Sequence, residues 1–255
     1  MLSKIKKYFL ERENEQSYSK KLRQYIEILE KYIDNDNLNI LYQNIINGIT
    51  VKRISFFDII KDSMDGIIIG EYIEGTNEIR YLKQDALIHG LLHAASTIEF
   101  ENYSISGLSY SENGKTTFGG LNMGYTEILN RRIFKSENYR TEYYPENVCI
   151  VRLLELLFDN KNKLETAYFS ADASAFGKTF LQYGTKEELY NITDALDHYA
   201  FSNHQDGEEL ETIKLVENII SRTNDNKKIK KAKGIIEEYT KSKFKSRSKK
   251  KTKTK

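Results

Sequence analysis

The 255-residue sequence predicts an α+β fold, and three observations carry that reading. Strand-and-turn signals bracket a short apolar helix at Asp85–Thr97, DALIHGLLHAAST. A second apolar helix follows at Gly119–Phe134, GGLNMGYTEILNRRIF. Beyond Phe134 the spacing of apolar residues is helical almost throughout. With 39% apolar and 30% charged residues, the chain has enough to bury one good core and fits a soluble globular protein.

In chain order, residues 1–57 read as a helical segment leading into a sheet. The start, MLSKIKKYFLERENEQ, has no apolar core of secretory length, since charge returns at Glu11, and reads as a helix packing on the domain. Lys20–Asp34 places Leu22, Tyr25, Ile26, Leu29, Tyr32 and Ile33 at helical spacing. Leu38–Ile46 continues as a second short helix or a turn-rich connection, and Thr50–Phe57, rich in β-branched and aromatic residues, reads as a strand. Residues 58–135 form the expected core of the fold. Within them Gly66–Lys83 reads as two strands around Glu74-Gly75-Thr76-Asn77, and Ser104–Phe118 as a hairpin turned by Asn113-Gly114. Residues 136–240 read as a helical lobe. Pro145 is placed to open a helix through Val148–Asp159, and Leu164–Phe169, Ala171–Tyr183 and Lys186–Tyr199 follow. Thr185 with Glu188 fits a capping box. Glu208–Ser221 and Lys227–Tyr239 close the lobe as amphipathic helices.

Residues 241–255 change character. KSKFKSRSKKKTKTK holds nine basic residues and no acid, so with a net charge of +2 overall, residues 1–240 carry −7. A basic, disordered tail on an acidic body points to an anionic partner: nucleic acid, an acidic membrane surface or the body itself. A solubilising tail without a partner is the alternative. The single cysteine, Cys149, excludes an intramolecular disulfide, suits a cytoplasmic setting and reads as a core thiol. No stretch is apolar enough to cross a bilayer. His198 and His204 read as solvated or capping residues near a helix end.

The remaining histidines, His89 and His93, are four residues apart on the first apolar helix. Positions i and i+4 share a helix face, so both imidazoles can address one point, as when a helix offers two nitrogens to zinc. The residue after His89 is Gly90, where an H-E-x-x-H helix carries its general base. Glycine inside a helix costs about 1 kcal/mol relative to alanine, so position 90 calls for a reason.

The order hairpin, histidine helix, hairpin, second helix, with the words LIHGLLHAAS and GLNMGYTEIL, resembles the gluzincin branch of the zincin metallopeptidases. It is most similar to small bacterial proteins in which those words read H-E-x-x-H and L-N-E-G-Y-T-E, and the N-E-G word is similar to that of the aminopeptidase N type. The resemblance covers roughly residues 66–134. It implies a zincin-like fold in which His89 and His93 are the first two metal ligands. It puts Met123 where the third ligand, a glutamate, would stand, and Gly90 where the base would stand. Glu127 matches a carboxylate that lies behind the metal and orients a histidine. Asn122, Met123 and Tyr125 would line the cleft.

Two imidazoles alone make a weak zinc site or none, because catalytic zinc uses three protein ligands and an open position. Glu127, one turn beyond Met123, and Asp85, one turn before His89, are the candidate third ligands. Met123 is a soft donor that suits Cu(I), although a methionine in place of a buried carboxylate reads first as packing. The leading expectation is a catalytically defective zincin-like protein that binds a peptide or protein partner, by strand addition at a sheet edge. One alternative is a zinc peptidase with rearranged ligands and Glu99 or Glu112 as base. The other is a helical protein that binds polyanions through its basic tail.

Overall fold

The structure, a computed structural model, describes residues 18–34, 37–53, 70–73, 75–81, 84–134, 144–202 and 207–252. Among them the fold is α+β and predominantly helical, with two small sheets. The helices are α1 (Tyr18–Tyr32), α2 (Leu38–Ile46), α3 (Gln84–Ala94), α4 (Gly119–Phe134), α5 (Pro145–Glu155), α6 (Lys161–Phe169), α7 (Ala173–Phe180), α8 (Lys186–Phe201), α9 (Glu209–Ser221) and α10 (Asn226–Thr252). The strands are β1 (Thr50–Arg53), β2 (Gly70–Ile73), β3 (Glu78–Tyr81), β4 (Thr97–Glu99), β5 (Tyr103–Ser106), β6 (Ser109–Glu112) and β7 (Lys115–Thr117). The chain divides into two compact units. The first holds Met1–Thr116, Leu129–Thr141 and Glu165–Ala173, and the second holds Thr117–Ile128, Glu142–Leu164 and Ser174–Lys255.

In the first unit, β3 is the centre of a three-stranded sheet, antiparallel to β2 and parallel to β1. The β2–β3 turn places Gly75 and Asn77 at positive φ, which glycine and asparagine tolerate best. The histidine helix α3 packs on β2 and β3 and touches α2. Its own apolar residues Leu87, Leu91 and Leu92 are buried, as are Ile26 and Leu29 of α1 and Leu41 and Ile45 of α2. Asn44 of α2 secures the end of α3 by donating to the carbonyls of Ala94 (2.6 Å) and Thr97 (2.9 Å). Asn77 donates in turn to the Asn44 carbonyl at 2.5 Å, so the hairpin turn, α2 and the end of α3 are joined by two amides.

The second sheet is a meander in the order β4-β5-β6-β7. The sequence predicts one hairpin here, turned at Asn113-Gly114. That turn is present, with both residues at positive φ, but a second turn at Gly107-Leu108 and the short β4 add two more strands. The register puts Thr97, Ser106 and Ser109 on one face, which is buried, and Ile98, Ile105 and Tyr110 on the other, which is half-buried. Hydroxyls therefore face inward and apolar groups outward, the reverse of an ordinary one-sided sheet.

The second unit is helical. Pro145 stands at the first turn of α5, after Tyr144 at φ 52°. Gly120 and Gly124 of α4 are contact points: a β-carbon at Gly120 would lie 2.1 Å from the Leu196 carbonyl oxygen of α8, and one at Gly124 would lie 2.9 Å from Val151 of α5. Asn147 of α5 donates to the carbonyls of Gly120 (3.0 Å) and Leu196 (2.8 Å). The Asp197 carboxylate accepts the Gly120 N–H at 2.6 Å, a donor that a helix start leaves without an intrahelical partner.

The basic run differs from expectation. Sequence places it outside regular structure, yet α10 continues unbroken from Asn226 to Thr252. Lysine is a good helix former, and neither proline nor glycine follows Gly234. The root of the run is also tied down. Lys243 donates to the Glu209 carboxylate at 2.5 Å and lies 3.5 Å from Glu146, while Tyr239 donates to Glu209 at 2.9 Å. No helix among the described residues is long and apolar enough to cross a membrane.

Candidate functional site

The two histidines expected to share a helix face do so. The His89 and His93 Nε2 atoms are 3.1 Å apart, with ring centroids 4.9 Å apart and planes tilted by 58°. His93 is buried at 5% exposure and His89 is half-buried. Burial, and then the charge of His89, hold the His93 imidazole well below the ordinary histidine range, so it is neutral at neutral pH.

A hydroxyl layer backs His93. Its Nδ1 lies 3.3 Å from Ser106 Oγ of β5, which receives a hydrogen bond from Thr97 Oγ1 at 2.8 Å. Thr97 Oγ1 also lies 2.8 Å from the His93 carbonyl, and Ser96 Oγ reaches the Leu92 carbonyl at 3.0 Å. A neutral His93 that donates from Nδ1 to Ser106 keeps its Nε2 lone pair, turned toward His89. Nε2 can then accept a hydrogen bond from His89 or, with it, meet a metal. A second partner on the far ring nitrogen is how metal-binding histidines are commonly oriented. Ser106 and Thr97 are the site residues that sequence reasoning missed. Their signal lies in the period-two hydroxyls of TIEFENYSISGLSYS, once the register is known.

Two nitrogens at about 2.0–2.1 Å from a tetrahedral zinc lie about 3.3 Å apart, so the pair fits two ligand positions. Among the described residues no group of three His, Cys, Asp or Glu side chains is placed to hold a metal ion. The Asp85 side chain lies outside the described residues, as do His204, the strand residues expected at 54–57 and the ends of the Gly66–Lys83 hairpin at 66–69 and 82–83.

Gly90 has a packing role. A β-carbon there would lie 2.6 Å from Ile79 Cγ2 on the central strand β3, so the helix approaches the sheet at this residue. The other base candidates are placed differently: Glu99 accepts the Gly75 N–H of the β2–β3 turn, and Glu112 is exposed on β6.

Comparison with family models, curated proteins and solved structures finds no match.

The second unit holds the other motif residues. Met123 is half-buried on α4, Asn122 and Tyr125 are 2% and 0% exposed, and Glu127 is fully buried. The Asn122 carbonyl accepts a hydrogen bond from Thr126 at 2.8 Å. Cys149 is buried on α5, and burial above all pushes its thiol up to about 12, which makes it a poor nucleophile. His198 Nε2 lies 3.3 Å from a Glu208 carboxylate oxygen at an exposed helix end.

Proposed function

We propose that this chain is a zincin-like protein without hydrolytic chemistry that serves as a peptide- or protein-binding module. The contact between position 90 and Ile79 is the observation that supports this best. A carboxylate at 90 would have to displace a buried isoleucine, so the absence of a base goes with how the helix seats on its sheet. Hydrolysis needs a group to take the proton from the attacking water, and neither imidazole of a mutually engaged pair is free to do so. The Nε2 atoms of His89 and His93 are spaced as two metal ligands would be, and zinc, where it binds, is held weakly by this pair.

The test measures zinc content, thermal stability with and without zinc, and cleavage of a mixed peptide library. The wild type is compared with His89→Ala/His93→Ala. The expected result is little zinc, a small stabilisation confined to the wild type, and no cleavage by either protein. Zinc-dependent cleavage lost in the double variant would instead establish a peptidase with rearranged ligands.

A further inference from the structure

The outward face of the second sheet plays no part in the histidine site. Ile98 pairs with Ile105 and Ile105 with Tyr110, while Tyr103 pairs with Glu112, so all five side chains share one face. Phe100 extends the row: its N–H bonds the Tyr103 carbonyl at 2.8 Å, and its ring stacks on Tyr103 with centroids 4.3 Å apart and planes at 17°. Tyr103 meets Tyr110 at 5.4 Å. Phe100 is 47% exposed, and Ile98, Tyr103, Ile105 and Tyr110 are half-buried. The buried positions of the same strands are meanwhile occupied by serine and threonine. A half-buried apolar row that ends in an exposed phenylalanine is a candidate binding surface.

Charge narrows the occupant. Between Thr97 and Thr117 the acids are Glu99, Glu101 and Glu112, and the only cation is Lys115. Glu112 stands within the aromatic row, and burial together with its charge and hydrogen bond raises the Tyr110 hydroxyl above the ordinary phenol range. An aromatic and aliphatic centre with an acidic rim has the anatomy of a protein-docking surface, with tyrosines as anchors. Rings beside a carboxylate attract lysine and arginine side chains. Phosphate backbones are disfavoured by the acids. Sugars stack on free aromatic faces, whereas Phe100 and Tyr103 each spend a face on the other and two positions are isoleucine.

We infer that this sheet face docks a basic peptide segment of a partner protein, with apolar side chains on Ile98, Phe100 and Ile105 and a cation at Tyr110 and Glu112. The inference rests on the peptide-binding reading above and gives it a site and a ligand chemistry.

The probe is a fluorescein-labelled peptide alternating arginine and leucine, with a glutamate–leucine counterpart, followed by anisotropy at low and high salt. Variants Glu112→Lys and Phe100→Ser, both at exposed positions, are checked for an unchanged melting temperature. The basic peptide is expected to bind, more weakly at high salt, and the acidic one not to bind. Glu112→Lys should weaken binding about tenfold, and Phe100→Ser by about tenfold or more. Equal binding of both peptides, or binding of neither, overturns the inference. So does an oligonucleotide or oligosaccharide that binds in their place and is lost in Phe100→Ser. Binding unchanged by either variant overturns the sheet face as the site while leaving the peptide-binding reading standing. Mass spectrometry of the recovered peptide separates the two claims, because cleavage would sink the non-hydrolytic reading whether or not this face binds.

Discussion

At the scale of single residues, position 90 shows how a sequence motif and a packing constraint can occupy one site. Gly90 reads in the sequence as a departure from H-E-x-x-H, and its helical penalty invites a functional reason. The 2.6 Å approach of a built β-carbon to Ile79 supplies a packing reason that no single sequence reveals, because it depends on which strand lies over the helix. Gly90→Ala is expected to destabilise the protein by about 1–3 kcal/mol despite alanine's better helix propensity, because the extra methyl overpacks a closed contact. Ile79→Ala alone should cost about 2–5 kcal/mol through the cavity it leaves. The double variant should cost clearly less than the sum, since each change accommodates the other. Urea denaturation of the four proteins reads this coupling. Strict additivity would show that the approach of helix to strand does not set the glycine.

At the scale of elements, local chemistry was legible wherever it was strong. The helix at Gly119–Phe134, Pro145 opening a helix and the Thr185–Glu188 capping box stand as read, and Leu38–Ile46 takes the helical one of its two readings. The β4–β7 meander was only half legible: β4 is three residues long, and the inverted faces put serine where an apolar residue would announce a buried strand. The His89–His93 pairing followed from helical spacing, while its hydroxyl backing required the register of another sheet. The capping box also carries a pH dependence. Glu188 accepts the Thr185 N–H at 2.8 Å and a two-pronged hydrogen bond from Arg222 at 2.6 and 2.9 Å. The Arg222 hydrogen bond above all lowers the Glu188 carboxyl from 4.5 to about 2, against the opposing effect of burial. On acidification the unfolded chain takes up this proton first, so the stabilisation is complete above about pH 5 and is lost between about pH 4.5 and 2. Glu188→Gln should cost about 1–2 kcal/mol at neutral pH and flatten the stability profile across that acid range. An unchanged acid slope would mean that the carboxylate is not held by Arg222 in solution.

At the scale of the whole molecule, charge is divided between an acidic body and a basic end, and the division does not fall where composition puts it. The run of cations begins at Lys241, but Lys243 belongs to the buried network of Glu146, Glu209 and Tyr239 that joins α5, α9 and α10. Burial raises the Glu209 carboxyl, and hydrogen bonds from Lys243, the backbone and Tyr239 outweigh it, so the group ends below its ordinary range and is charged. Glu209 is 1% exposed, and a buried carboxylate stripped of its cation is costly to keep. The first turn of the basic run is thus a structural part of the second unit. Two truncations separate this turn from the rest of the run. A chain ending at Thr240 loses Lys243 and should be destabilised by about 3–5 kcal/mol, with the melting temperature lowered accordingly. A chain ending at Phe244 keeps the network while losing seven of the nine cations, Lys241 and Lys243 being the two retained, and should melt close to the full-length protein. Heparin retention should fall in both. If the two truncations melt alike, Lys243 does not anchor the helix, and the whole basic run is an appendage whose role lies in charge alone.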